Sequence, residues 1–236
     1  MTTTQCKVTD LIKRDNRISY SFEVTPNISE DRLISNSEVE PLFYSITWHA
    51  TIHKCENLEI APLKLAKFLK NNNKNVLLHL SCNLLKKSFA NDLLTMLQEE
   101  GICNLFVILG ESYRTDTSDF KSTQALIRYI REKTGDYFCI GVAAFPDRED
   151  KFDHLMEKIV SGADFLITQA FFDVEIYGEF LNKCSKSGIV IPILPGIFPF
   201  ETERELTGFL NLCKVHVTKQ ILEDVKTKSG NKDVIS

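Results

Sequence analysis

Seven short apolar runs rich in β-forming residues recur along the chain and alternate with helical patterns. They cover residues 18–24, 42–47, 76–80, 105–109, 138–143, 165–169 and 190–194. Their starts lie roughly 25 to 34 residues apart, the length of a strand, loop, helix and return loop. Between them, residues 58–70, 86–100 and 121–133 carry helical periodicity, and Gly101 and Gly135 stand where helix terminators belong. Nearly continuous apolar strands alternating with helices predict a parallel sheet covered by helices. No Gly-x-Gly-x-x-Gly follows the first strand, which argues against a dinucleotide-binding doubly wound sheet. The expected fold is α/β, of the (β/α)8 TIM-barrel type, lacking the eighth strand. Residues 215–217 are too short and polar to supply that strand, and the tail beyond them reads as one polar helix and a frayed end. KVTDLI, residues 7–12, reads as a helix over the barrel bottom.

A chain of 236 residues has room for one large core. Its net charge of −4 gives no electrostatic case for nucleic acid or an anionic membrane surface. No apolar run approaches the roughly 18 to 20 residues that span a bilayer, and the first ten residues are polar, unlike a secretory signal. Seven cysteines, odd in number and scattered, suit reduced thiols better than a disulfide framework. The expected location is cytoplasmic.

In a barrel, chemistry sits at the C-terminal ends of the strands. Those ends are polar here: Glu23 on the first, Thr47 and His49 on the second, and His79, Ser81 and Cys82 on the third. Gly110 and Glu111 end the fourth, and Thr168 and Gln169 the sixth. In the first run, Ile18, Tyr20, Phe22 and Val24 alternate with Ser19, Ser21 and Glu23. The apolar set is expected to face the helices, with the serines inside and the carboxylate above them. His79 taken alone reads as a hydrogen-bonded core histidine, and Gln169 could serve backbone groups. Glu23 is harder to explain structurally, because ionised carboxylates are rarely buried without a partner. Together these residues read as a ligand site. His49, His53 and Cys55 form H-x-x-x-H-x-C, with His79 and Cys82 as further candidate metal ligands. Because the spacing follows a strand end, helical geometry cannot be assumed, and metal binding is set aside.

The blocks SFEVTP (21–26), ITWHA (46–50), LLHLSC (77–82), GICNLFVILGE (101–111), DYFCIGVAAFP (136–146), GADFLITQAFFD (162–173) and GIVIPILPGIFPF (188–200) occur in that order. In them the chain resembles the catalytic barrel of the methylenetetrahydrofolate reductase family, as a divergent or C-terminally truncated member. The resemblance implies one barrel domain over residues 1–236, without a regulatory domain. It further implies FAD as cofactor, NAD(P)H as co-substrate and 5,10-methylenetetrahydrofolate as the folate substrate, reduced to 5-methyltetrahydrofolate. Glu23 matches the catalytic glutamate that helps protonate folate, and Glu111 a second catalytic carboxylate. Thr47, His79, Gly110, Ala143, Phe145 and Lys158 match cofactor-binding positions, and Gln169 and Phe209 substrate-binding ones. A carboxyl in a semi-apolar mouth is expected to have a raised pKa, suiting an acid at neutral pH.

The sequence departs from the family pattern near the cofactor. Leu109 stands where an arginine is usual, Glu111 replaces an aspartate, Ser122 a tyrosine, and Phe145 the tyrosine of a turn. After Pro146 a histidine-bearing loop is deleted. These losses raise an alternative: a catalytically impaired, folate-binding relative or partner subunit of an intact reductase. With an eighth strand missing, the first and seventh would present open edges, consistent with a homo-oligomer or pairing with a full-length homologue.

Overall fold

The computed structural model of the chain describes residues 3–14, 18–34, 40–215 and 217–229. Seven strands form one parallel sheet in sequence order: β1 (Phe22–Val24), β2 (Tyr44–Ile46), β3 (Val76–Ser81), β4 (Asn104–Ile108), β5 (Cys139–Ala144), β6 (Phe165–Thr168) and β7 (Ile193–Leu194). Helices α1 (Val8–Arg14) to α5 precede β5: α2 (Glu30–Ile34), α3 (Ala61–Asn71), α4 (Lys87–Glu99) and α5 (Thr123–Thr134). Then follow α6 (Phe152–Val160), α7 (Val174–Lys186), α8 (Glu203–Cys213) and α9 (Lys219–Ser229). This is the α/β, barrel-type alternation expected, with all seven strands found and no eighth strand among the described residues.

The chain groups into two compact units, one of Met1–Val142 with Met156–Phe165 and the other of Ala143–Leu155 with Leu166–Ser236. In the first unit all six residues of β3 are buried. Leu63 and Leu69 of α3, Leu93 and Leu97 of α4, and Leu126, Ile127 and Ile130 of α5 complete its apolar core. Each such side chain contributes about 1.5–3 kcal/mol relative to exposure. Helix starts follow local chemistry. Pro62 opens α3, where its missing N–H is harmless, and the Ser122 hydroxyl caps α5 by accepting from the Ala125 N–H at 3.2 Å. Helix ends at Gly101 and Gly135 use the left-handed backbone that glycine tolerates.

Residues 3–14 lie across the starts of β3 and β4, as expected for a helix at the bottom of the strands. The Gln5 side chain exchanges two 2.8 Å bonds with the Val76 backbone. Asn104 accepts from the Val8 N–H at 2.9 Å and donates to the Cys6 carbonyl at 3.0 Å.

The first strand differs from expectation. It spans only Phe22–Val24, and of its residues only Val24 is buried. Ile18 is fully exposed, and Tyr20 and Phe22 are 38% and 46% exposed rather than packed under helices. The reason is positional: β1 is an edge strand paired only with β2, and the helix after it, α2, is five residues long.

Candidate functional site

Parallel pairing aligns Glu23 with Ser45 and Ser45 with Leu77. Side chains alternate along strands, so Glu23, Ser45, Thr47 and His79 share one face of the first unit. Ser45 Oγ and His79 Nε2 are 2.8 Å apart, and both residues are buried. The same nitrogen lies 3.8 Å from Glu23 Oε2. The Phe106 ring packs against the imidazole with centroids 4.9 Å apart. Burial, helped by the nearby His49, pushes the His79 pKa down to about 3, so the Glu23–His79 approach is not an ion pair at neutral pH.

Glu23 is not the buried carboxylate expected from the pattern: 67% of its side-chain surface is open to solvent. Surrounding protein atoms still desolvate the carboxyl and raise its pKa, opposed by His49. With the surface this open, the desolvation is shallower than in a closed pocket. The direction is the one expected for an acid.

His49 Nδ1 stands 3.2 Å from Glu111 Oε1, with the imidazole more enclosed than the carboxylate. The Thr47 hydroxyl donates to the Val24 carbonyl at 3.3 Å, tying β2 to β1. Gly110 has φ +95°, and a Cβ there would sit 2.0 Å from Ser81 Oγ, so its missing side chain makes room for Ser81. Lys158, on α6, is half-buried. Burial pushes the Cys82 thiol up to about 12, and the Lys158 ammonium pulls in the other direction. None of the seven cysteines is joined in a disulfide. His53 and Cys55 lie in the turn after β2, where the Trp48 indole donates to the His53 carbonyl at 2.9 Å. Among the described residues no three His, Cys, Asp or Glu side chains cluster to hold a metal.

The second unit holds Ala143, Phe145, Gln169 and Phe209. The Gln169 N–H donates to the Ala144 carbonyl at 2.7 Å, fixing the end of β6 beside β5. Phe209 stacks on Phe198 with centroids 3.9 Å apart and meets Phe172 edge-on at 6.1 Å. Phe200 also meets Phe172 edge-on, at 6.1 Å. The Arg148 guanidinium lies 4.8 Å over the Phe145 ring and donates to the Cys213 carbonyl at 2.7 Å. Phe145, Arg148, Phe152, Phe180 and Lys183 help line a cavity of about 410 Å3. Its cations are already engaged: Lys183 pairs with Glu149 at 2.8 Å and Lys151 with Asp150 at 3.1 Å.

Residues 7–235 match the family model described as Methylenetetrahydrofolate reductase. The chain belongs to the methylenetetrahydrofolate reductase family. Methylenetetrahydrofolate reductase 2 of Schizosaccharomyces pombe is 31% identical over 97% of this chain and 40% of its own length. The probable methylenetetrahydrofolate reductase (NADH) of Oryza sativa is 27% identical over 94% of this chain and 42% of its own. The 5,10-methylenetetrahydrofolate reductase of Pectobacterium carotovorum is 28% identical over 88% of this chain and 72% of its own. This reductase-family chain thus spans less than half the length of the first two relatives. Among solved structures, oxaloacetate acetylhydrolase superposes with a TM-score of 0.58 at 12% identity, over 98% of this chain and 88% of that one. A 2,3-dimethylmalate lyase gives 0.55 at 12%, over 94% of each. At such identity these likenesses show the fold alone.

Two features escaped sequence reading. Ser45 sits between two apolar residues, and its two-residue spacing from Thr47 is the only signal in the sequence that it faces the same way. The aromatic set around Phe209 draws Phe172, Phe198 and Phe200 from separate segments, which periodicity does not connect.

Proposed function

We propose that the chain catalyses the reduction of 5,10-methylenetetrahydrofolate to 5-methyltetrahydrofolate, using NAD(P)H and FAD. Family membership motivates the reading. The observation that carries it is Glu23, a carboxyl at a strand end whose pKa is raised by desolvation, the property an acid needs near neutrality. Groups that suit a flavin in kind are the imidazole of His79 and the ammonium of Lys158 in the first unit, together with the hydroxyl of Thr47, which is bonded to the Val24 carbonyl, and the backbone of Gly110, beside which Ser81 fills the space. Ala143 and the aromatic Phe145 belong to the second. Leu109, exposed at the end of β4, supplies no charge to such a ligand. Bound FAD would supply hydride chemistry; the protein supplies binding, orientation and proton placement.

In this reading Glu23 holds a proton for a folate ring nitrogen, so that the five-membered ring opens to an iminium. Glu111, held by His49, places a negative charge near that developing cation. Gln169 and Phe209 are assigned to folate contact, Phe209 through the face of its ring. Residues 1–236 are assigned in this reading to one reductase-type barrel domain. The free thiols support a reducing, cytosolic setting, and no described helix is long and apolar enough to cross a membrane. The exposed apolar surface beside β1 supports association with a second copy or a full-length homologue.

Purified protein is expected to show flavin absorbance that NAD(P)H bleaches and folate restores. Glu23→Gln should abolish the folate step and leave flavin reduction nearly intact. Colourless protein that cannot be reconstituted with FAD, or equal loss of both half-reactions in Glu23→Gln, would overturn the reading. Parallel assays with NADH and NADPH decide the preferred co-substrate.

A further inference from the structure

A carboxylic acid beside an imidazole ordinarily loses its proton, because histidine near 6.5 outcompetes glutamate near 4.3. The product is a carboxylate–imidazolium pair, which cannot protonate a folate nitrogen. Glu23 Oε2 lies only 3.8 Å from His79 Nε2, so the assigned acid has such a competitor at hand. The competitor's nitrogen is already engaged, by the Ser45 hydroxyl at 2.8 Å. Both residues are buried, so water does not compete for that bond and its geometry is held by strands on either side.

We propose that Ser45 is a positioning residue: its O–H donates to His79 Nε2, fixes the ring proton on Nδ1, and keeps the imidazole from taking the Glu23 proton. The inference rests on the reductase reading for Glu23's role, but the bond itself does not. The other groups facing this pair are few. The Thr47 hydroxyl is turned to the Val24 carbonyl, and Phe106 presents only its ring. His49, beyond β2, opposes protonation of His79 and favours the ionised form of Glu23, and is itself beside Glu111. Burial acts in the same direction as Ser45 on His79. Ser45 adds what burial alone does not, a definite tautomer with its lone pair occupied.

The test uses the full chain, 15N-labelled at histidine, with the His79 signals assigned by their loss in His79→Gln. The unsubstituted protein should show Nε2 as an acceptor and Nδ1 protonated, with no titration between pH 8 and 5. Ser45→Ala should release that tautomer and raise the His79 pKa by about one unit, a tenfold gain in proton affinity. The folate half-reaction should then fall about tenfold more than the NAD(P)H half-reaction, with its pH profile shifted. Ser45→Thr, which keeps the hydroxyl, should restore both. Ser45→Cys, of similar size and weak as a donor, should behave as Ser45→Ala if the alanine variant does not fold. A protonated Nε2 in the unsubstituted chain, or a tautomer and titration unmoved by Ser45→Ala and Ser45→Cys, would overturn the proposal. Absence of folate turnover in the unsubstituted protein would instead count against the reductase reading, while the NMR result still decides the bond.

Discussion

His79 lies in a strand that is buried along its whole length, and protonating it there would place a charge among apolar neighbours. Its pKa falls from 6.5 to about 3, so the unfolded chain binds the extra proton first. The stability carried by the neutral imidazole is complete above pH 6.5 and is lost as pH falls toward 3. His79→Gln should therefore flatten the acid limb of a melting-temperature–pH curve over that window; an unchanged slope would show that another group controls it. Gly110 makes a second residue-scale prediction. Gly110→Ala meets both the φ of +95° and Ser81 Oγ, and should cost about 2–4 kcal/mol in denaturant unfolding. Ser81→Gly in that background should recover the steric part and leave the dihedral part. The family resemblance assigns Gly110 to the cofactor, whereas the structure fills the space beside its Cα with Ser81. Nothing in a one-dimensional pattern distinguishes a gap left for a ligand from one filled by a neighbouring strand. Glu23 shows the converse: its position at a strand end was legible from alternation, but its exposure depends on what lies beyond the edge of the sheet.

The strands were legible because an apolar run flanked by helical periodicity leaves little choice of element, and β3 to β6 fall within a residue or so of expectation. Their ends moved where tertiary contact decided the matter. Ser122, unexplained beside the family pattern, has a local role as the hydroxyl that caps α5. Helix α8 carries a complete capping box, with the Thr202 hydroxyl accepting from the Glu205 N–H at 3.2 Å and Glu205 accepting from the Thr202 N–H. Thr202→Ala should lower stability by about 1 kcal/mol, read as a shift in the urea midpoint at constant slope. At its other end α8 is tied down by Arg148, which donates to the Cys213 and Lys214 carbonyls. Arg148→Met keeps the packing stem on Phe145 and removes those bonds. Faster amide exchange confined to the last turn of α8 is the expected result, and exchange unchanged there would show that the turn is held by other contacts.

Considered whole, the molecule leaves apolar surface beside its first strand uncovered. Ile18 and Phe22 are both exposed, and an edge strand with apolar neighbours invites pairing with another chain. Ile18→Lys with Phe22→Lys should reduce association in light scattering and slow aggregation on heating; identical scattering would place self-association elsewhere. Arg131 fastens α5 to residues some thirty positions further along the chain. Its guanidinium donates to the Phe138 and Gly162 carbonyls at 2.7 Å and pairs with Asp164 at 2.6 Å, all within the unit that the chain leaves at Val142 and rejoins at Met156. During synthesis that unit cannot close when its first stretch emerges from the ribosome. It waits for the detour through residues 143–155 to be made, so the last residues needed to anchor α5 arrive after part of the second unit already exists.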